Sequence, residues 1–144
     1  MKKLTYLFMP LFLLLGLNAR AVEPTMANVA YGTHPKQVLD FYKADTVQPA
    51  SVMFFIHGGS WLSGDKKKSI PNLEQCLNAG ISVVSIEYRF IPEATADGLV
   101  PPVKGPLLDA ARALQFVRSK ASEWNACSRI PGRRRRSIKT APCI

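Results

Sequence analysis

Residues 52–56 (VMFFI) are apolar at every position, and residues 81–88 (ISVVSIEY) are dominated by β-branched and apolar side chains. Short runs without apolar/polar alternation fit strands buried on both faces, as in a parallel sheet. Between them, Ile70, Leu73, Cys76 and Leu77 fall on one helical face. Ser69 is placed to cap this helix. Pro71 sits in its first turn, where backbone N–H groups lack partners anyway, and Gly80 suits the left-handed position that ends it. Strand, short helix and strand with tight connections predict a βαβ unit with parallel strands and a right-handed crossover.

The pattern is weaker on either side of this unit. Residues 22–35 show little periodicity and predict an extended lead-in. Residues 37–43 (QVLDFYK) predict an edge strand ahead of a loop at 46–51. Residues 90–106 carry Pro92, Pro101, Pro102, Pro106, Gly98 and Gly105, and predict a loop. The helical period returns at residues 107–123. Leu107, Ala110, Ala111, Leu114, Val117 and Ala121 share a stripe there, with Arg112 and Lys120 outside it and Trp124 just beyond. After Asn125 neither period is found, and residues 126–144 hold an arginine run at 133–136 between Pro131 and Pro142.

A net charge of +9 over 144 residues suggests a nucleic-acid partner until the charges are located. Lys2, Lys3 and Arg20 supply three of them. Arg129, Lys139 and the arginines at 133–136 supply six, with no acid among them, so residues 22–125 are neutral and no nucleic-acid partner is expected. Residues 1–21 have the pattern of a signal peptide. A short basic start (Met1-Lys2-Lys3) leads into an apolar core at 7–17, and Ala19 and Ala21 lie at the positions a signal peptidase reads. Cleavage after Ala21 and export, periplasmic or extracellular, are expected. The apolar core is too short to span a bilayer, which takes about 20 residues, so no span is expected once it is removed. Cys76, Cys127 and Cys143 are too few for a disulfide framework, and Cys76 is expected to be a small buried apolar residue. No Cys/His cluster has metal-ligand spacing, and no metal or other cofactor is expected.

The chemistry lies at His57-Gly58-Gly59-Ser60-Trp61, directly after one predicted strand and ahead of a helix. Glycines there let backbone N–H groups point into a cavity without a Cβ blocking it. An ordinary strand-to-helix turn would share the bare HGG. The motif gains meaning from its downstream neighbours: Gly64-Asp65, then Tyr88-Arg89 closing the next strand, then Pro92-Glu93, and then a helix carrying Asp109. In this order, over residues 41–125, the chain resembles the α/β-hydrolase superfamily, in particular esterases of the hormone-sensitive-lipase and feruloyl-esterase-like group. The resemblance implies an α/β fold class, here the N-terminal part of an α/β-hydrolase fold with a mostly parallel sheet and flanking helices. It also implies a small ester substrate and a serine acyl-enzyme mechanism in the intact family member. Under it, Gly58, Gly59 and Ser60 form the oxyanion hole. Gly58 shapes the turn, while Gly59 and Ser60 donate their N–H groups to the tetrahedral oxyanion. His57 fixes the loop and is not the base. Trp61 is expected to pack as a pocket wall, with contact to an acyl or aryl group as the alternative.

The other residues have plainer expectations. Lys66, Lys67 and Lys68 are expected to be solvated, Asp109 to cap a helix or pair with Arg89, and His34 to lie at the surface. The triad of this fold follows the order Ser, Asp or Glu, His. No serine of the chain has the Gly-x-Ser-x-Gly frame and no His follows His57, so the triad is expected to be absent. The chain is then truncated before the nucleophile strand and inactive by itself. Loss of the strands flanking residues 81–88 would leave an apolar edge there and a marginal product. Three segments result: a signal peptide (1–21), the N-terminal part of a hydrolase domain (22–125), and a basic tail outside the fold (126–144). A frameshift or early stop accounts together for the lost pattern, the arginine run and the missing strand. The alternative is a non-catalytic exported protein whose basic tail binds an anionic surface.

Overall fold

The structure, a computed structural model, describes residues 21–68 and 70–127. The signal-peptide segment, the Ser69 cap and residues 128–144 lie outside the described residues. The elements are β1 (Met26–Ala30), β2 (Val38–Tyr42), β3 (Ser51–Ile56), α1 (Leu73–Asn78), β4 (Ile81–Ile86), α2 (Ile91–Ala96) and α3 (Lys104–Ser119). The four strands form one sheet in the order β1-β2-β4-β3. Strands β3 and β4 run parallel in register from Ser51 opposite Ile81 to Ile56 opposite Ile86. β2 is antiparallel to both β4 and β1. The expected α/β architecture is present, but the described sheet is mixed, with its parallel character confined to the β3–β4 side.

The βαβ unit forms as its pattern predicts, with Gly80 at φ +75° closing α1. The helix is short, beginning only after Asn72, which is itself in the left-handed region. Its predicted face is half-buried, and Cys76 Sγ lies 3.8 Å from Met53 Sδ. Cys76 is a free thiol, whereas Cys127 is disulfide-bonded.

Several expectations are corrected. The lead-in contains a strand, β1. Strand β2 is not an edge: it lies between β1 and β4, with Leu39, Asp40 and Phe41 fully buried. Conversely, β3 is only half-buried, because β4 covers one of its sides and no described strand runs along the other. The edges of the described sheet are therefore β1 and β3, and residues 81–86, expected to be exposed, are flanked on both sides. Residues 90–106 are not all loop. Glu93 Oε2 accepts the Phe90 N–H at 2.7 Å and Pro92 sits in the first turn, so α2 starts where those two residues signal a helix start.

Helix α3 also begins earlier than predicted, and its buried face keeps Val117 and Ala121 of the expected stripe but not the leucines. Gly105, Pro106, Asp109, Ala113 and Val117 are buried, whereas Leu107, Leu108 and Leu114 are 52%, 55% and 43% exposed. A Cβ on Gly105 would sit 2.5 Å from Ala94 Cβ, so the helix packs its smallest residue against α2. Asp109 is drawn inward by Arg89 and Gln37, which rotates the leucines out. Beyond α3, Trp124 stacks on Phe41 at 4.6 Å between ring centroids and completes the core with Tyr31, Val84, Ile86 and Tyr88. Ala126 is buried as well. It forms a parallel bridge with Ala50, whose N–H donates to Asn125 O at 2.9 Å and whose carbonyl accepts from Cys127 N at 2.7 Å. The framework therefore extends past the expected boundary at 125 and begins a further parallel pairing at the head of β3.

Candidate functional site

Strand β3 delivers His57 to the end of the sheet, where the ring is buried. It stacks on Tyr88 at 4.3 Å, with Phe90 edge-on at 6.1 Å. Its Nε2 lies 3.2 Å from Glu87 Oε1 and its Nδ1 lies 2.8 Å from Gly58 O. The Tyr88 hydroxyl donates to His57 O at 2.7 Å. Each ring nitrogen thus faces an oxygen, and the side chain is clamped between strand-end residues.

The chain then turns sharply. Gly59 has φ +121°, Ser60 +54° and Trp61 +61°. Non-glycine residues in this region cost on the order of 1–3 kcal/mol each and persist only where surrounding structure holds them. The Gly59 carbonyl accepts from Leu62 N at 3.0 Å and Ser63 N at 3.1 Å, and Trp61 O accepts from Ile91 N at 2.9 Å. The N–H groups of Gly58, Gly59, Ser60 and Trp61 have no acceptor among the described residues. Gly58, Gly59 and Ser60 are exposed. The structure thus brings together His57 to Trp61 in one turn. Trp61 is half-buried, edge-on to Tyr88 at 5.4 Å. Two glycines are sterically required here. A Cβ on Gly59 would lie 1.9 Å from Ser63 O, and one on Gly64 (φ +126°) would lie 2.2 Å from His57 Nδ1. A Cβ on Gly58 would meet nothing within 4 Å.

The far end of the loop is fixed by Lys66, which is buried and not solvated as expected. Its Nζ lies 2.7 Å from Asp40 Oδ2, its N–H donates to Glu87 Oε2 at 3.3 Å, and its carbonyl accepts from Ser85 Oγ at 2.5 Å. Lys67 and Lys68 are exposed.

Beside the loop, Asp109 pairs with Arg89, as anticipated for it. Arg89 Nη2 reaches Asp109 Oδ1 at 2.6 Å, and Arg89 Nε and N reach Oδ2 at 2.9 and 3.0 Å. Gln37 Nε2 adds a bond of 2.7 Å. Burial alone would raise the Asp109 carboxyl, but the Arg89 hydrogen bonds outweigh it and hold the group below its ordinary value. Those same bonds raise Arg89. A cleft of about 410 Å³ next to this pair is lined by Thr33, Gln37, Asp97, Arg112 and His34, and by none of His57 to Trp61. His34, expected at the surface, is half-buried there.

Residues 39–130 match the BD-FAE family. The chain belongs to the BD-FAE family. It is an esterase-type hydrolase family of the α/β-hydrolase class, and the match runs five residues past Asn125. A rice protein (Oryza sativa subsp. japonica) named probable isoprenylcysteine alpha-carbonyl methylesterase is 30% identical over 112 residues, 77% of this chain and 25% of that protein. A kynurenine formamidase from Salmo salar is 29% identical over 101 residues, 69% of this chain and 34% of that protein. Among solved structures, a truncated form of a carbohydrate esterase from gut microbiota superimposes with TM-score 0.58 at 25% identity. That overlap covers 72% of this chain and 35% of the other. Esterase B from Lactobacillus rhamnosis shares the fold with TM-score 0.53 at 20% identity, over 69% of this chain and 31% of the other. The BD-FAE chain thus spans about a quarter to a third of the length of these four proteins.

Lys66, Asp40 and Glu87 escaped sequence reasoning. Asp40 was legible as the one charged residue inside an apolar strand, a sign that a cation must reach it. Nothing in the spacing pointed to Lys66 rather than its two neighbours.

Proposed function

We propose that this BD-FAE chain is the N-terminal portion of an exported carboxylic-ester hydrolase, in which residues 57–61 form the oxyanion loop. The observation that carries this reading is the strained turn itself. Gly59, Ser60 and Trp61 take consecutive positive φ at the end of a parallel strand, and the exposed residues Gly58, Gly59 and Ser60 have N–H groups without acceptors among the described residues. Ester hydrolysis passes through a tetrahedral intermediate whose oxygen carries the developing charge, and preorganised N–H donors at that point stabilise it. His57 acts through the loop: with its nitrogens facing Glu87 and Gly58, it holds the turn and is not the base. Trp61 forms a wall of the pocket. The substrate class is a small ester.

Turnover needs a nucleophile and a base as well. The sequence offers no Gly-x-Ser-x-Gly serine and no His after His57, so this chain alone is inactive. Loss of the nucleophile and base removes about 10⁶ in kcat even from an otherwise complete subtilisin. The reading is tested at the nucleotide level and in the cuvette. Translation of the coding DNA beyond Asn125 in the alternative frames should yield an apolar strand, Gly-x-Ser-x-Gly, and later an acid and a His. A chain restored to that frame should cleave p-nitrophenyl acetate or butyrate, whereas the 144-residue chain should not exceed background. If no frame supplies these residues, the hydrolase reading fails and the anionic-surface role of the basic tail takes its place.

A further inference from the structure

We propose that the buried Lys66–Asp40 ion pair positions the oxyanion loop, fixing its exit end to the sheet as His57 fixes its entry. The assignment rests on the reading of residues 57–61 as that loop. Lys66 is the one buried residue of the segment 62–68, and it comes from a run of three lysines whose other two members are exposed. Its ammonium crosses to β2, where Asp40 is fully buried and also accepts the Asn28 N–H at 2.7 Å. Its own backbone is gripped by Ser85 and Glu87 of the β4 strand and its extension.

Glu87 joins the two ends. One carboxylate oxygen lies against His57 Nε2 and the other against Lys66 N, so the loop is closed like a clasp over the end of β4. Between the ends, the described backbone bond from the body is Ile91 N to Trp61 O. A turn holding Ser60 and Trp61 at positive φ relaxes unless both ends are held. A buried charge pair is a poor device for general stability, since its desolvation offsets much of its attraction, but it fixes geometry because neither charge can be left alone. Lys66 and Asp40 are therefore positioning residues that act through the loop and touch no substrate.

The test uses the ¹⁵N-labelled full chain and reads amide exchange and ¹⁵N order parameters. Lys66→Met breaks the pair. The neutral double variant Asp40→Asn/Lys66→Met carries the test if the single variant, with its uncompensated Asp40, fails to fold. Lys66→Arg retains a cation. In the double variant, exchange at Leu62 and Ser63, whose N–H groups bind Gly59 O, should quicken about tenfold while the β2–β4 ladder amides keep their rates. Order parameters at Gly58, Gly59 and Ser60 should fall, and Lys66→Arg should restore the parent values. Parent rates at Leu62 and Ser63 in the double variant would overturn the proposal. Equal acceleration of loop and ladder would also overturn it, by reducing the pair to a general stabiliser. Because loop order is read without turnover, a loosened loop in a chain whose frame-restored form cleaves no ester would sink the functional reading alone.

Discussion

At the residue scale, two glycines of the loop behave differently, and a single Cβ separates them. Gly58 has open space and no positive φ, whereas a Cβ on Gly64, at φ +126°, would run into the His57 ring. Gly58→Ala should therefore change stability by less than about 1 kcal/mol, and Gly64→Ala should lower it by about 2–3 kcal/mol. Urea midpoints of the two variants decide this, and similar midpoints would show that the clash relaxes. Asp109 carries a second prediction. Its carboxyl lies below its ordinary value in the folded chain, so its contribution is fully present above the unfolded value near about 3.9. That contribution is lost as pH falls through the folded pKa. Asp109→Asn should cost about 3 kcal/mol near pH 7 by leaving Arg89 without its buried partner. The gap between parent and variant should shrink below about pH 4. A gap of the same size at neutral pH and in strong acid would show that the pair does not titrate as described.

At the scale of elements, α3 shows how a helix chooses its buried face. Of the expected stripe, Val117 and Ala121 are buried, but Leu107 and Leu114 lose their places to Gly105, Pro106, Asp109 and Ala113. Close approach to Ala94 and the Arg89–Asp109 pair decided the rotation, and neither is visible in a helical period. The consequence is testable by substitution on the two faces. Leu114→Gln should shift stability by no more than about 0.5 kcal/mol, and Ala113→Leu should cost about 1–3 kcal/mol through overpacking. The reverse order in thermal denaturation would restore the leucine face as the buried one. Strand β2 teaches the same lesson. It is expected as an edge, yet it lies inside the sheet, with its buried Asp40 paired to a cation from a distant loop.

At the scale of the whole molecule, β3 is one of the two edges of the described sheet, and Ala126 starts a parallel pairing at its head. Such an edge can pair with a further strand, and the chain spans 25% and 34% of the length of the rice methylesterase and the salmon formamidase. Export belongs to this scale too. If residues 1–21 are a signal peptide, N-terminal sequencing of the exported product should begin at Val22. A soluble cytoplasmic product retaining Met1 would exclude it.

The sequence by itself determined the βαβ unit, the turn at His57 to Trp61 and the family. Each is carried by local signals: a run of β-branched residues, a left-handed glycine, and motifs in fixed order. Only the tertiary structure decided that β2 is interior, that α3 turns its leucines outward, and that Lys66 and not Lys67 or Lys68 is buried. These depend on which residues meet across the chain. A buried charge is placed by its partner, Asp40, 26 positions away, and no local period encodes that distance.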